Sequence, residues 1–276
     1  MQYFKAFFDF YLNASFHVAL VALSFLFITA FEYDLDLTLE FQGFVFFATI
    51  VAYNFVKYYG VSKNHFKKFT NKILLIRMIM LLSFLGIIYT SFFLSLNTIL
   101  HTGFLALITL FYATPFVPKK WHLLSVSNLR NVAGIKVYII ALVWAGVSVV
   151  LPLIENDIEL DSQTILTTLQ RFILVIVLML PFEIRDLQFD DLRLETIPQK
   201  IGIKTTKVFG FTLIGIIALL EYLKGNPPNI YMISLLLTLC FTAFFLRFMN
   251  ISRSWYYTAF WVESVPIVWM LLLLLL

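Results

Sequence analysis

Three observations predict an all-α fold that crosses a membrane many times. Of the 276 residues, 61% are hydrophobic and 18% aromatic, while only 13% are charged; soluble domains carry about 25% charged residues. The apolar residues fall in runs near the ~20 residues that a helix needs to cross the hydrocarbon core. Most of the charges fall between those runs or at their ends. A spanning segment must satisfy its own backbone hydrogen bonds, so each run is read as a helix.

Nine spans follow in order. The first two, 11–31 and 39–59, are separated by the acidic stretch Glu32, Asp34 and Asp36. After them come Lys63, Lys67, Lys68 and Lys72, then 73–95 and 98–117, then Lys119, Lys120 and Arg130. Span 131–152 leads to Glu155, Asp157, Glu159 and Asp161, and span 164–184 to Arg185, Arg193, Lys200, Lys204 and Lys207. The last three are 206–223, 228–249 and 256–276, with Lys224 after the first of them and Arg253 before the third. Basic and acidic loops alternate. By the positive-inside rule the basic loops are cytoplasmic, which puts the N-terminus in the cytoplasm and the C-terminus on the other side.

No soluble domain, long linker or internal repeat fits between the spans, so residues 1–276 are read as one transmembrane domain. The first ten residues carry Lys5 and Asp9, and the apolar run after them lacks a small-residue cleavage site; no cleavable signal is expected. The net charge of +4 follows membrane topology and does not point to nucleic acid. Cys240, the one cysteine, excludes an intramolecular disulfide and a cysteine-built metal site. In its apolar run it is expected to be a buried, inert thiol. His17, His65, His101 and His122 lack metal-ligand spacing, and no Gly-rich phosphate loop or zinc signature is present.

The chemistry concentrates in LPFEIRDLQFDDLRLETIPQKIG, Leu180 to Gly202. Asp186 and Asp190 are four residues apart, which puts both carboxylates on one helix face. Glu183 lies one turn earlier on the same stripe and Arg193 one turn later. Carboxylates at a membrane mouth can hold a hard cation such as magnesium, which grips phosphate oxygens. Spacing alone serves a second reading equally well, a solvated helix end with internal ion pairs.

This stretch resembles the second aspartate-rich motif of the UbiA superfamily of membrane prenyltransferases, D-x-x-x-D, here Asp186-Leu187-Gln188-Phe189-Asp190. The flanking FEIRDL and TIPQKIG resemble the bacterial branches, as does LRNVAGIKVYIIALVWA before and within the fifth span. The resemblance covers essentially the whole chain. It implies nine helices bundled around a central cavity open to cytoplasm and lipid. It also implies transfer of a prenyl group from an isoprenyl diphosphate to a lipophilic, aromatic acceptor, with Asp186 and Asp190 holding magnesium and the diphosphate. A bacterial inner membrane is the implied location.

One departure stands out. The family's first motif, N-x-x-x-D-x-x-x-D, is met by Asn54, but Tyr58 and Ser62 occupy the aspartate positions. Lys57, nearly one turn from Asn54, offers a substitute: an ammonium neutralises phosphate oxygen as a point charge. Asn54 would serve as a donor beside it. The alternative is that Lys57 snorkels to the interface. Lys119, Arg130 and Lys136 are further candidates for the diphosphate; Lys119 also fits a plain positive-inside residue. Lys136 is expected just inside the membrane, where a charge needs solvation or a partner.

Arg171, Glu221 and Glu263 also lie in apolar spans. Glu221 with Lys224 reads as a pair at the far interface, and Arg171 and Glu263 sit at different depths. Two further functions stay open. One is a membrane terpene cyclase, in which the allylic cation attacks its own double bonds. The other is a non-catalytic isoprenoid- or lipid-binding protein, which the missing first-motif carboxylates favour.

Overall fold

A computed structural model describes residues 2–59, 70–114, 134–190, 194–225 and 229–276, with side chains 59 and 70–72 excepted. Among these residues all regular structure is helical, and nine helical segments are long and apolar enough to cross a membrane. The chain is accordingly an integral membrane protein. The elements are α1 (Gln2–Asn13), α2 (Phe16–Tyr33), α3 (Leu39–Tyr59), α4 (Thr70–Ser91), α5 (Leu96–Ala113), α6 (Lys136–Ala145), α7 (Leu151–Glu155), α8 (Ser162–Asp186), α9 (Ile197–Leu223), α10 (Asn229–Phe248) and α11 (Val265–Leu275). A π-helical segment, Gly146–Val150, joins α6 to α7 in the fifth span; another, Tyr257–Val262, opens the ninth.

Two boundaries differ from the sequence reading. The first span does not begin at residue 11: α1 is a separate amphipathic helix, and the chain turns at Ser15, whose φ of 66° is left-handed. Alternation of Phe, Tyr and polar residues over the first turns carries that signal, which a search for 20-residue apolar runs passes over. The seventh span begins nine residues early, at Ile197. There Thr196 caps the helix, Gln199 Oε1 accepts from the Thr196 N–H at 2.9 Å, and Pro198 sits in the first turn. Thr-Ile-Pro is thus a helix start rather than a loop. Gly202, at φ 76°, breaks the helix one turn later.

The core runs along α8, which packs on α6, α9 and α10. Leu174, Val177 and Leu180 of α8 meet Ile217, Leu235, Leu246 and Trp269 from α9, α10 and α11. Gly210 lets α9 approach closely: a Cβ there would lie 2.8 Å from Leu180 Cδ1. α4 and α5 pack on α3 and leave rows of Leu and Phe outside, as a lipid-facing rim requires. Cys240 corrects an expectation: it is exposed on α10. In a membrane an apolar run does not imply burial in protein, because lipid solvates the outer face.

The end of α8 remote from Asp186 carries a buried polar clamp. Lys224 Nζ contacts Glu32 Oε1 at 2.7 Å, Glu221 Oε2 at 3.0 Å and Gln170 Oε1 at 2.8 Å, which engages all three of its donors. Glu32 also accepts from Tyr231 (2.6 Å) and Thr167 (2.8 Å). Arg171 lies nearby, stacked over the Phe25 ring at 4.4 Å and the Trp269 ring at 4.9 Å. The Glu221–Lys224 pair was expected; Glu32 was assigned to a solvated loop, because its partners lie more than 130 residues away in sequence. The first turn of α8 is capped by Asp161, which accepts from the Thr164 N–H at 2.8 Å; that bond holds the Asp161 carboxyl below its ordinary range.

Candidate functional site

A cavity of about 240 Å³ opens between α1, α2, α3, α6, α8 and the ninth span. Its walls are apolar and aromatic, with Phe25, Tyr53, Trp144, Phe182 and Trp255 among Val, Leu and Met side chains. Tyr53 and Trp144 meet edge-to-face, centroids 6.1 Å apart. Among the described residues, three charged ones reach this cavity: Lys57, Arg185 and Glu263.

Lys57 stands on the last turn of α3 and donates to the carbonyls of Leu12 (3.1 Å) and Asn13 (3.4 Å). Those carbonyls end α1, where Leu12 O also accepts from the Ser15 N–H at 3.3 Å and Asn13 O from Tyr58, and the ammonium adds a charged donor to both. Asn54, one turn back, is fully buried. Its Nδ2 donates to Ala14 O at 2.9 Å and its Oδ1 accepts from Ser15 Oγ at 3.0 Å. The asparagine expected to touch substrate therefore pins the α1–α2 turn, and it is not part of the cavity wall. Tyr256 donates to Asp9, which ties α1 to the start of the ninth span; that hydrogen bond raises the Tyr256 phenol above its ordinary range.

Asp186 and Asp190 remain one turn apart, with Asp190 N donating to Asp186 O at 2.8 Å. Their side chains serve different cations. Asp186 Oδ1 accepts from Arg185 Nε at 2.7 Å, and Arg185 Nη1 reaches Thr258 Oγ1 at 2.5 Å. Arg185 is thereby fixed between α8 and the π segment, with its guanidinium carbon 5.3 Å from the Phe182 ring centroid. Asp190 lies 3.9 Å from Lys136, which pairs with buried Glu183 at 2.9 Å. Lys136 and Glu183 line a separate cleft of only about 10 Å³ with Thr196 and Ile197. The expected intramembrane position of Lys136 is met by ion pairing rather than by snorkelling.

Among the described residues no group of three or more His, Cys, Asp or Glu side chains is placed to hold a metal ion. Two carboxylates one turn apart do suit a magnesium that arrives with phosphate, since that ion commonly takes one or two carboxylates and fills its other positions with phosphate and water. Lys119, Arg130 and Ser62 lie outside the described residues. Tyr58 donates to Asn13 O at 3.2 Å and so supports α1. Sequence reasoning passed over Arg185, grouped with loop cations, although its neighbour Asp186 marks it. Glu263 was noted without a role. His17 is buried, sharing a 2.8 Å hydrogen bond with Tyr11 and approaching Phe260 O and Ser264 Oγ at 3.2 Å.

No protein-family model, curated protein or solved structure matches the chain.

Proposed function

We propose that the protein is an intramembrane prenyl-transfer enzyme, which takes an isoprenyl diphosphate and passes its prenyl group to a lipophilic acceptor. The observation that carries this reading is the cavity: an aromatic, apolar chamber with two cations, Lys57 and Arg185, in its wall. Such a shape fits an amphiphile with an isoprenoid tail and an anionic head. The sequence resemblance around Asp186 and Asp190 adds the reaction class.

In this account the tail lies against Phe25, Tyr53 and Trp144, whose ring faces stabilise positive charge on the allylic carbon. Arg185, held in place by Asp186 and Thr258, donates to the departing diphosphate, and Lys57 adds a second point charge. Magnesium would supply further neutralisation of the leaving group, held by Asp186 and Asp190 together with phosphate oxygens. Lys136 keeps Glu183 and Asp190 in place beside that position. The basic loops and the diphosphate-facing end are assigned to the cytoplasm by charge distribution, in a bacterial inner membrane.

The test is a titration of protein in lipid with a non-hydrolysable farnesyl diphosphate analogue, with and without magnesium. Magnesium-dependent binding that is lost in Asp186→Ala/Asp190→Ala supports the reading. Absence of binding under both conditions overturns it. A second reading rests on one observation: Asp186 and Asp190 are each engaged by a cation of the protein itself. In a non-catalytic isoprenoid-binding protein these ion pairs would be the motif's only remaining task. Tight analogue binding that needs neither magnesium nor the two aspartates would favour it.

A further inference from the structure

α10 ends under three side chains, one from α9 and two from the segment that leads into the ninth span. Its carbonyls at Phe245, Arg247 and Phe248 accept from Tyr257 Oη at 2.8 Å, Lys207 Nζ at 2.8 Å and Arg253 Nε at 3.0 Å. Cations suit the negative end of a helix dipole, and this cap fixes two of them beside Arg247 in the last turn. The Tyr257 ring holds Arg253 further, with the guanidinium carbon 5.1 Å from its centroid. Lys204 stands about one turn before Lys207 on α9, just past the break at Gly202. The charges that act on Lys207 are Arg247 and Arg253, both positive. Among the described residues none of these four cations has a carboxylate partner.

Two apolar stripes run away from that cationic end. On α9, Val208 and Phe211 follow Lys204 at helical spacing and are exposed. On α10, which packs beside α9, Phe244 and Phe248 form an exposed row with ring centroids 4.7 Å apart. None of these residues lines the central cavity. Charge at one end and exposed apolar surface beyond it match the shape of a lipid. We propose that this end of the α9–α10 face is a binding site for an anionic phospholipid, whose phosphate is held by Lys204, Lys207, Arg247 and Arg253 and whose acyl chains lie along the two stripes. After serving the α10 carbonyls, Lys207 has two donors left and Arg253 keeps both Nη groups. The side chains of Lys204 and Arg247 make no bond among the described residues. Phosphate oxygens accept charge-assisted hydrogen bonds, and Arg supplies them in pairs. Repulsion among four gathered cations falls when an anion sits between them, and basic pockets between spans take anionic headgroups in this way. A lipid with two phosphates, a diphosphatidylglycerol, engages more of the four charges than one with a single phosphate. A zwitterionic headgroup brings an ammonium of its own into the cluster and is disfavoured. The site stands independently of the prenyl-transfer reading.

The experiment is native mass spectrometry of the full chain in detergent, titrated with tetraoleoyl diphosphatidylglycerol or with dioleoyl phosphatidylcholine. Wild-type protein is expected to bind the first about tenfold or more tighter than the second, as four interfacial cations imply. Lys204→Gln/Arg247→Gln should lose most of that preference. Because neither side chain bonds within the protein, this pair tests the site without touching the α10 cap. Lys5→Gln/Lys200→Gln removes the same charge from exposed positions elsewhere and should keep the preference. Affinity for diphosphatidylglycerol no greater than for phosphatidylcholine in the wild type overturns the proposal, whether or not any variant folds. An equal loss in the two double variants also overturns it, since the response would then be to net charge alone. Glycerol phosphate, the headgroup without its chains, is the competitor that separates a lipid from a soluble phosphate. It should fail to displace the lipid at the lipid's own concentration; displacement would assign the cations to a water-soluble phosphate and overturn the lipid site.

Discussion

Replacing Lys224 with Met should destabilise the fold sharply, although the residue lies far from the cavity. Its ammonium is 3% exposed and joins Glu32 and Glu221, themselves 6% and 3% exposed, as well as Gln170. The substitution keeps the volume of the side chain and removes the charge that both carboxylates share. Breaking a buried ion pair costs about 3–5 kcal/mol, because the surviving charge stays buried. Two survivors argue for the upper part of that range, and nearby Arg171 offsets some of it, so about 4 kcal/mol is expected. That corresponds to roughly a 700-fold change in the unfolding equilibrium. The assay is equilibrium unfolding in mixed micelles, followed by tryptophan fluorescence. Lys200→Met is the control: it breaks the exposed Lys200–Glu195 contact, side chains 55% and 50% exposed, and should cost less than about 1 kcal/mol. Adding Glu32→Gln and Glu221→Gln to Lys224→Met should recover more than half of the loss. A Lys224→Met cost no larger than that of Lys200→Met would refute the clamp.

Other outcomes follow from single contacts. Gly210→Ala places a methyl 2.8 Å from Leu180 Cδ1 and should cost about 1–3 kcal/mol in the same unfolding assay. Asn54→Leu leaves Ala14 O and Ser15 Oγ without their buried partner and should cost a similar amount, about 1–3 kcal/mol. Lys57→Ala and Arg185→Met should each weaken binding of the farnesyl diphosphate analogue about tenfold or more, and unchanged affinity in Lys57→Ala would remove that residue from the site. Asp161 gives a pH dependence: its folded pKa lies below the unfolded one, so its contribution is present above the unfolded value and is lost as pH falls through the folded value. The protection factor of the Thr164 amide, its exchange rate relative to an unstructured peptide at the same pH, should fall as pH drops through that window, and in Asp161→Ala the window should disappear.

The spans were legible because each must carry its own apolar surface and its own hydrogen bonds. Seven of the nine lie close to where apolar runs of the right length stand, and the first starts five residues later than its run because Gln2–Asn13 form the separate helix α1. The seventh span, α9, starts early because Thr196, Pro198 and Gln199 form a cap that composition does not register. The site was legible in part. Asp186 and Asp190 keep their helical spacing, as a local pattern must. What they touch was not legible, since Arg185 reaches across to buried Thr258 in the ninth span and Lys136 arrives from another span. Asn54 illustrates the same limit: its position near the end of α3 was plain, but the left-handed turn at Ser15 that consumes its amide depends on how α1 folds back. Glu263 reaches the cavity after a π segment, which no periodicity in Tyr257–Val262 announces.

Turnover tests the central claim most directly. Protein in lipid discs would be incubated with farnesyl diphosphate, magnesium and a panel of lipophilic aromatic acceptors, and diphosphate release would be measured beside prenylated product. The account predicts equal amounts of both, with turnover lost in Asp186→Ala/Asp190→Ala. Saturable binding of the farnesyl chain with neither diphosphate nor prenylated product formed would contradict it.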